Sequence, residues 1–302
     1  HCSKLLADMG AEAIKVEMPC GDAARNIPPF AGDDPHREKS LYFLYRNANK
    51  LGITLNIETA DGRGIFKRLV QTADVVVESR RPGYMKRFNL DYESLKQIKP
   101  DLIMASITDF GQDGPYRDWK GSDLVDFAMS GAMISTGYPD GPPTVLPGSP
   151  SDDVTSLAAA TSIVTSLLVR GATGRGQYID ASIHENSRLG LFPWSLPTFF
   201  ANSDPDGPPA PREVRWGTAM YPILPCKDGF IRIIAISKSQ WEAFLRVFDN
   251  PETLCAPEWR EFIHRIFNFD TIIETLSGPA KKFTMEELFE RGNHEGVPLA
   301  PV

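Results

Sequence analysis

Residues 149–182 run SPSDDVTSLAAATSIVTSLLVRGATGRGQYIDAS. Two adjacent acids, Asp152 and Asp153, precede a run of Ala, Leu, Ile, Val, Ser and Thr that carries no charge until Arg170. That run has the length and composition of a buried helix. The glycines of ATGRG end it, and GQYIDAS follows as a short strand. Helix, tight turn and buried strand form one step of an alternating α/β chain. The acids have two accounts. Asp, Ser and Asn are preferred at helix starts, where a cap contributes ~1 kcal/mol. The positive end of the helix dipole also stabilises a carboxylate, and an ionised carboxylate beside the end of a sheet is a competent nucleophile toward an activated acyl group.

The same alternation extends toward the N-terminus. A helix in KLLADMG stops at Met9-Gly10, where Gly10 supplies the left-handed C′ position. AEAIKVEMP is a strand stopped by Pro19, and residues 19–40, rich in Pro, Gly and Asp, form a long loop of the kind that carries function. GITLN (52–56) is a second strand, and TADGRGIFKRLVQTAD a helix with Thr59 at its N-cap. DVVVES and DLIMASITDF are strands buried on both faces, with the helix YESLKQIKP between them. The pattern predicts an α/β doubly wound parallel sheet, Rossmann-like, in residues 1–185. The Pro- and aromatic-rich stretch 186–213 is expected to be a linker. Residues 214–302 are expected to form a smaller α+β domain: a hairpin around Lys227-Asp228-Gly229, then helices, one opened by a Thr284/Glu287 capping box.

A chain of 302 residues can bury a real core. Its net charge of −7 argues against a nucleic-acid partner but leaves room for a local basic pocket. No apolar run approaches the ~20 residues of a membrane span, and the start HCSKLLADMG is no secretory signal. Cys2, Cys20, Cys226 and Cys255 are scattered, as are the five histidines, which points to a reduced intracellular protein without a metal site. Both ends look cut: the first helix lacks a cap, and GVPLAPV is turn-rich and should lead onward, so a C-terminal return segment is expected to be missing.

Nucleotide and hydrolase signatures are absent: there is no GxxxxGK[ST], no GxGxxG and no GxSxG. What remains is loops at the carboxyl ends of strands, where open α/β sheets bind ligands. ESRRPGYMKR carries Arg80, Arg81, Lys86 and Arg87; TDFGQDGPYRDWKGSDL carries Arg117 and Lys120; PPTVLPGSPSDD leads into the acid pair. Two basic loops and one acidic one could hold a phosphate-bearing ligand against a carboxylate. Solvated surface loops explain the same charges.

These segments, in order, resemble the class III CoA-transferase family, which includes formyl-CoA transferase, crotonobetainyl-CoA:carnitine CoA-transferase and α-methylacyl-CoA racemase. LLADMGAEAIKVEMPCGDAAR is similar to its opening strand and loop, NANKLGITLNI to its N-x-x-K-R-S stretch, and ESRRPGYMKRFNLDYESL to its E-x-x-R-P-G element. ITDFGQDGPYRDWKGSDL is similar to its S-x-T-G-F-G-Q-x-G-P loop, and DDVTSLAAATSIVTSLLVRGATGRGQYIDAS to its D-x-x-T-G helix. The match runs from about Leu5 to the terminal GVPLAPV.

The resemblance implies that Asp152 is the nucleophile and Asp153 only its neighbour, which helps to cap. It implies attack on an acyl-CoA thioester to give a mixed anhydride and CoA thiolate, return of the thiolate to give an aspartyl-CoA thioester, and exchange with a second carboxylate, without metal. By motif position, CoA would meet Lys50, Ser79, Arg80, Arg81, Arg87 and Lys120. Leu51 and Ala48 depart from the Arg found at those positions in many relatives. The partners implied are an acyl-CoA, a small carboxylic acid and a second copy of the chain in an interlocked homodimer, with no nucleic acid or membrane. The location implied is the cytoplasm, or an organelle matrix in a eukaryote. The racemase branch is the alternative activity. It uses a histidine at the position of Ser122, and proton abstraction from both faces of an α-carbon needs two suitable groups. A silent CoA-binding protein is the alternative outside enzymes. Phe192, Trp194, Phe199 and Phe200 could accept an acyl group or pack a domain interface, and no glycine-rich loop is evident between Glu213 and Ala219.

Overall fold

Short β-branched runs become parallel strands wherever helices can cover them. The computed structural model describes residues 1–136, 142–191 and 222–302. It divides into two units, His1–Asp204 and Pro205–Val302. The linker expected at 186–213 begins inside a helix, and the rest of it, with the four aromatics and residues 213–219 discussed above, lies outside the described residues.

In the first unit, α1 (Cys2–Asp8) ends as expected. Gly10 has φ +100°, and the Gly10 and Ala11 N–H groups donate to Ala7 and Leu6 carbonyls, the Schellman pattern. β1 (Ala13–Glu17) pairs in parallel with β2 (Lys50–Thr54), which starts two residues before the expected strand and so takes Lys50 as its first residue. Between them lies a helix the composition did not reveal, α2 (Leu41–Asn47), capped by Ser40. The helix α3 (Ala60–Thr72) has the expected Thr59 cap, with the Gly62 N–H donating to its Oγ1.

β3 (Val75–Glu78), β4 (Ile103–Thr108) and β5 (Tyr178–Ser182) form a second parallel sheet in the order β3-β4-β5. Side chains alternate across it. Val77, Ala105 and Ala181 point to one face, where they meet Cys2 of α1 and Ala159 and Ile163 of α7 (Pro150–Thr173). Val76 and Met104 point to the other, against Val70 of α3, Met85 of α4 (Tyr84–Arg87) and Leu95 of α5 (Tyr92–Leu95). Helices therefore cover both faces, as expected. The single sheet does not form: β1-β2 and β3-β4-β5 are separate ladders. The β1 side chains are only half covered, with Ile14 43 % exposed, whereas Ile103, Met104 and Ala105 of β4 are buried. The helix expected from YESLKQIKP is a single turn continued by turns.

α7 corrects the expectation about membranes. Its 24 residues are long and apolar enough, by composition, to cross one. Here one side of it packs on α1, β4 and β5. Near its far end the Arg170 guanidinium bonds Asp74 Oδ1 at 2.7 Å and reaches the Asp101 carbonyl. Two short helices the sequence left unassigned flank its start: α6 (Asp123–Met129) and α8 (Ile183–Gly190).

The described residues of the second unit form an antiparallel sheet of β6 (Ile223–Pro225), β7 (Phe230–Ile233) and β8 (Leu299–Pro301) with four α-helices. These are α9 (Lys238–Val247), α10 (Phe262–Phe267), α11 (Phe269–Ala280) and α12 (Met285–Glu295). The expected hairpin is β6-β7, and β8 adds a third strand. The Thr284/Glu287 capping box opens α12, and a second box, Ser237/Gln240, opens α9. Leu224, Ile231, Phe244, Leu276 and Leu288 centre its core. The buried Arg265 donates to the carbonyls of Trp259, Arg260, Ala235 and Ile236, so the guanidinium is hydrogen-bonded although it is out of water.

Candidate active site

The two parallel ladders leave a gap between the edges of β1 and β3, and a cleft of about 1520 Å³ opens there. Lys15 of β1, Glu78 of β3 and Asp152 of α7 all line it. This is where a doubly wound sheet would reverse its strand order, the usual ligand position in such folds.

Six of the seven candidate residues line the cleft: Asp152, Lys50, Ser79, Arg80, Arg81 and Lys120. Arg87 is not among its lining residues. It ends α4, and its guanidinium lies over the Phe88 ring, 5.4 Å from the centroid. Lys50 donates to Asn47 Oδ1 at 2.9 Å. Burial, and then the charge of Lys15, lower its pKa to about 8. Arg80 is held where β3 ends, its N–H bonded to Glu78 Oε2 and its guanidinium over Tyr84.

Asp152 is the third residue of α7. Neither it nor its neighbour caps the helix. The acceptor is Asp123 of α6, whose Oδ1 takes the Ser151 N–H at 2.9 Å, and Ser149 makes no side-chain cap. Asp153, expected to help cap, instead pairs with Arg46 at 2.5 Å. Asp152 is left half-buried, with no hydrogen bond or ion pair to a described residue. Burial, then the Asp123 charge, push its carboxyl above the ordinary range, while Arg46 pulls the other way. A more basic carboxylate is also the stronger nucleophile.

Several residues here escaped the sequence. Arg46 stands one position before the motif Asn47, and its guanidinium covers Tyr42 one helical turn away, 4.8 Å from the ring centroid; the i, i+4 pair was the available signal. Asp109 lines the cleft and stands where the loop motif quoted above has glycine. Its Oδ2 accepts the Gly121 N–H at 3.1 Å, a close approach that leaves no room for a Cβ at Gly121. Lys15 and Asp22 pair in the wall, and Arg25 bridges Glu17 and Glu38 beside them. Among the described residues no group of three or more His, Cys, Asp or Glu could hold a metal ion.

One cleft of a parallel α/β unit thus holds basic side chains and, at a helix start, a carboxylate with no partner among the described residues. The profile of CoA-transferase family III matches residues 1–302, and the chain belongs to that family of enzymes. It is 33% identical to succinyl-CoA:mesaconate CoA-transferase of Haloarcula marismortui, over all of this chain and 76% of that one. To acetyl-CoA:oxalate CoA-transferase of Acetobacter aceti it is 32% identical, over 99% of this chain and 75% of the relative. Among solved structures, a CAIB/BAIF family protein from Brucella suis is 30% identical with a TM-score of 0.77, covering all of this chain and 79% of that one. Rv3272 from Mycobacterium tuberculosis is 26% identical with a TM-score of 0.83, covering all of this chain and 78% of that one.

Proposed function

We propose that this enzyme moves CoA from an acyl-CoA to a free carboxylic acid, with Asp152 as the nucleophile. The observation that carries the reading is the division of labour at the start of α7. Asp123 supplies the cap, Asp153 holds Arg46, and Asp152, of the three, faces the cleft with no partner among the described residues. Its carboxylate attacks the thioester carbonyl, giving an aspartyl–acyl anhydride and CoA thiolate. The thiolate attacks the aspartyl carbon, giving an aspartyl-CoA thioester and releasing the first acid as its carboxylate. The second carboxylate reverses both steps. One thioester replaces another, so the exchange is nearly isoenergetic.

Lys50, Arg80, Arg81 and Lys120 would take the CoA phosphates through charge-assisted hydrogen bonds. The relatives' names carry dicarboxylates, mesaconate and oxalate among them. A dicarboxylic acceptor is the class to try first. The racemase alternative needs a second acid/base at Ser122, but that hydroxyl is engaged as the N-cap of α6, accepting from the Val125 N–H. An interlocked homodimer in the cytoplasm or an organelle matrix belongs to the same reading, with sedimentation and fractionation as its tests.

The test of the reaction is intact-protein mass after mixing with a panel of acyl-CoAs, for the native enzyme and Asp152→Ala. A CoA-sized or hydroxylamine-sensitive acyl adduct that vanishes in the variant is the expected result. CoA binding with no adduct from any thioester would leave the silent binder. Deuterium entering the substrate α-carbon without an adduct would favour the racemase.

A further inference from the structure

Asp126 is the one buried acid among the described residues, 1% exposed, and neither of its carboxylate oxygens has a hydrogen-bond partner. It follows Asp123 by three positions on α6, so the two share a face. Asp123 fixes the orientation of that face, because it holds the Ser151 N–H in the first turn of α7, next to Asp152. Among the described residues, the charges that act on Asp126 are Asp109 from the loop after β4, Asp152 from α7 and Asp123 from its own helix, all negative. α8 also packs on α6 and carries His184, Glu185 and Arg188; its His184 ring lies against Phe110, 6.0 Å between centroids.

A buried carboxylate without donors, facing three like charges, is strongly disfavoured as an anion. Burial first, then Asp109, Asp152 and Asp123, raise its pKa to about 7. Nothing in the proposed transfer uses it.

We propose that Asp126 is a positioning residue that holds a proton while Asp152 is a free carboxylate and releases it when Asp152 becomes covalently occupied. This rests on Asp152 as the nucleophile. The exchange itself is proton-neutral: the Asp152 carboxylate and RCO–SCoA become aspartyl-CO–SCoA and RCOO⁻, one C–S bond breaking as another forms. The site, however, loses a negative charge when the acid departs. That lowers the pKa of Asp126, and its proton passes to solvent. The protonated form matters in the first half-reaction, before the proton leaves, because the acyl-CoA and the tetrahedral oxyanion formed on it are both anionic. A second ionised acid behind Asp152 would oppose each of them at short range and low dielectric. Activity should therefore fall on an alkaline limb set by Asp126, approaching about tenfold per pH unit.

The experiment mixes the enzyme with an acyl-CoA donor, without acceptor, in weakly buffered indicator dye, and takes intact mass on parallel samples. At pH 7 the native enzyme should show a burst of roughly half a proton per adduct, as a group titrating near 7 and then displaced downward requires. Asp126→Asn should form the adduct without the burst, and its alkaline limb should move up by more than one pH unit. Asp109→Asn, which removes the largest of the three like charges, should move that limb to lower pH and shrink the burst. Adduct without a burst in the native enzyme, or an equal burst from Asp126→Asn, would overturn the assignment while leaving Asp152 as nucleophile. No adduct in the native enzyme would remove both.

Discussion

Asp152 and Asp153 are about 100° apart around α7, and Arg46 reaches only the second of them, at 2.5 Å. The identity of the two side chains could not separate their duties; their tertiary neighbours do. The same holds for Lys50, whose pKa of about 8 comes from burial and Lys15. It is cationic below that pH and loses its charge as pH rises through it. Binding of a CoA thioester should weaken above about pH 8, and Lys50→Met should weaken it by about tenfold or more at pH 7, as loss of a charged hydrogen bond does. A titration of CoA across pH 6–9 with both proteins checks this. Asp126 makes a prediction about stability. Its folded pKa is raised from 3.8 to about 7, so folding binds its proton more tightly than the unfolded chain does. Native stability should fall as pH climbs from about 4 to about 7 and level off above. Asp126→Asn should gain up to ~1.4 kcal/mol relative to native for each pH unit in that window. Urea midpoints at pH 5 and pH 7.5 give the comparison; an equal offset at both would contradict it.

At the scale of elements, start and stop signals were legible wherever the partner is local. Gly10 ends α1, Thr59 caps α3, and Thr284 with Glu287 opens α12, each within four residues of what it satisfies. Thr284→Ala should cost ~1 kcal/mol of stability, read as a lowered midpoint of thermal unfolding. The start of α7 was misread because its cap comes from α6, in another part of the chain. Asp123→Ala should cost a similar ~1 kcal/mol, while Asp123→Asn, which keeps an acceptor, should lose little. If both lose equally, the charge of Asp123 matters rather than its hydrogen bond. α2, α6 and α8 were missed for a related reason. They are seven or eight residues long, each begun by a serine cap, and too short to show a periodic apolar stripe.

At the scale of the whole molecule, the alternation of apolar strands and helices was enough to predict parallel pairing with helices on both faces of β3-β4-β5. It could not predict that the ladder breaks between β1 and β3, because that depends on how fully side chains on both edges are covered. The break is where the cleft opens, and six of the seven residues expected to serve it line its walls. The motif order pointed to the family; Asp109, which departs from its motif's glycine, and Asp126, which lies in none of the motifs, bear on the titration of the site.

The central claim is that the Asp152 carboxylate itself passes through the anhydride and thioester. The most direct measurement uses an accepted carboxylic acid labelled with oxygen-18 in both carboxyl oxygens, turned over with an acyl-CoA, followed by digestion and mass analysis of the peptide carrying Asp152. When thiolate cleaves the second anhydride at the acceptor's carbon, the bridging oxygen stays on Asp152. The account predicts label appearing in that carboxylate with turnover. Acyl-CoA product formed while the Asp152 peptide remains unlabelled would contradict it.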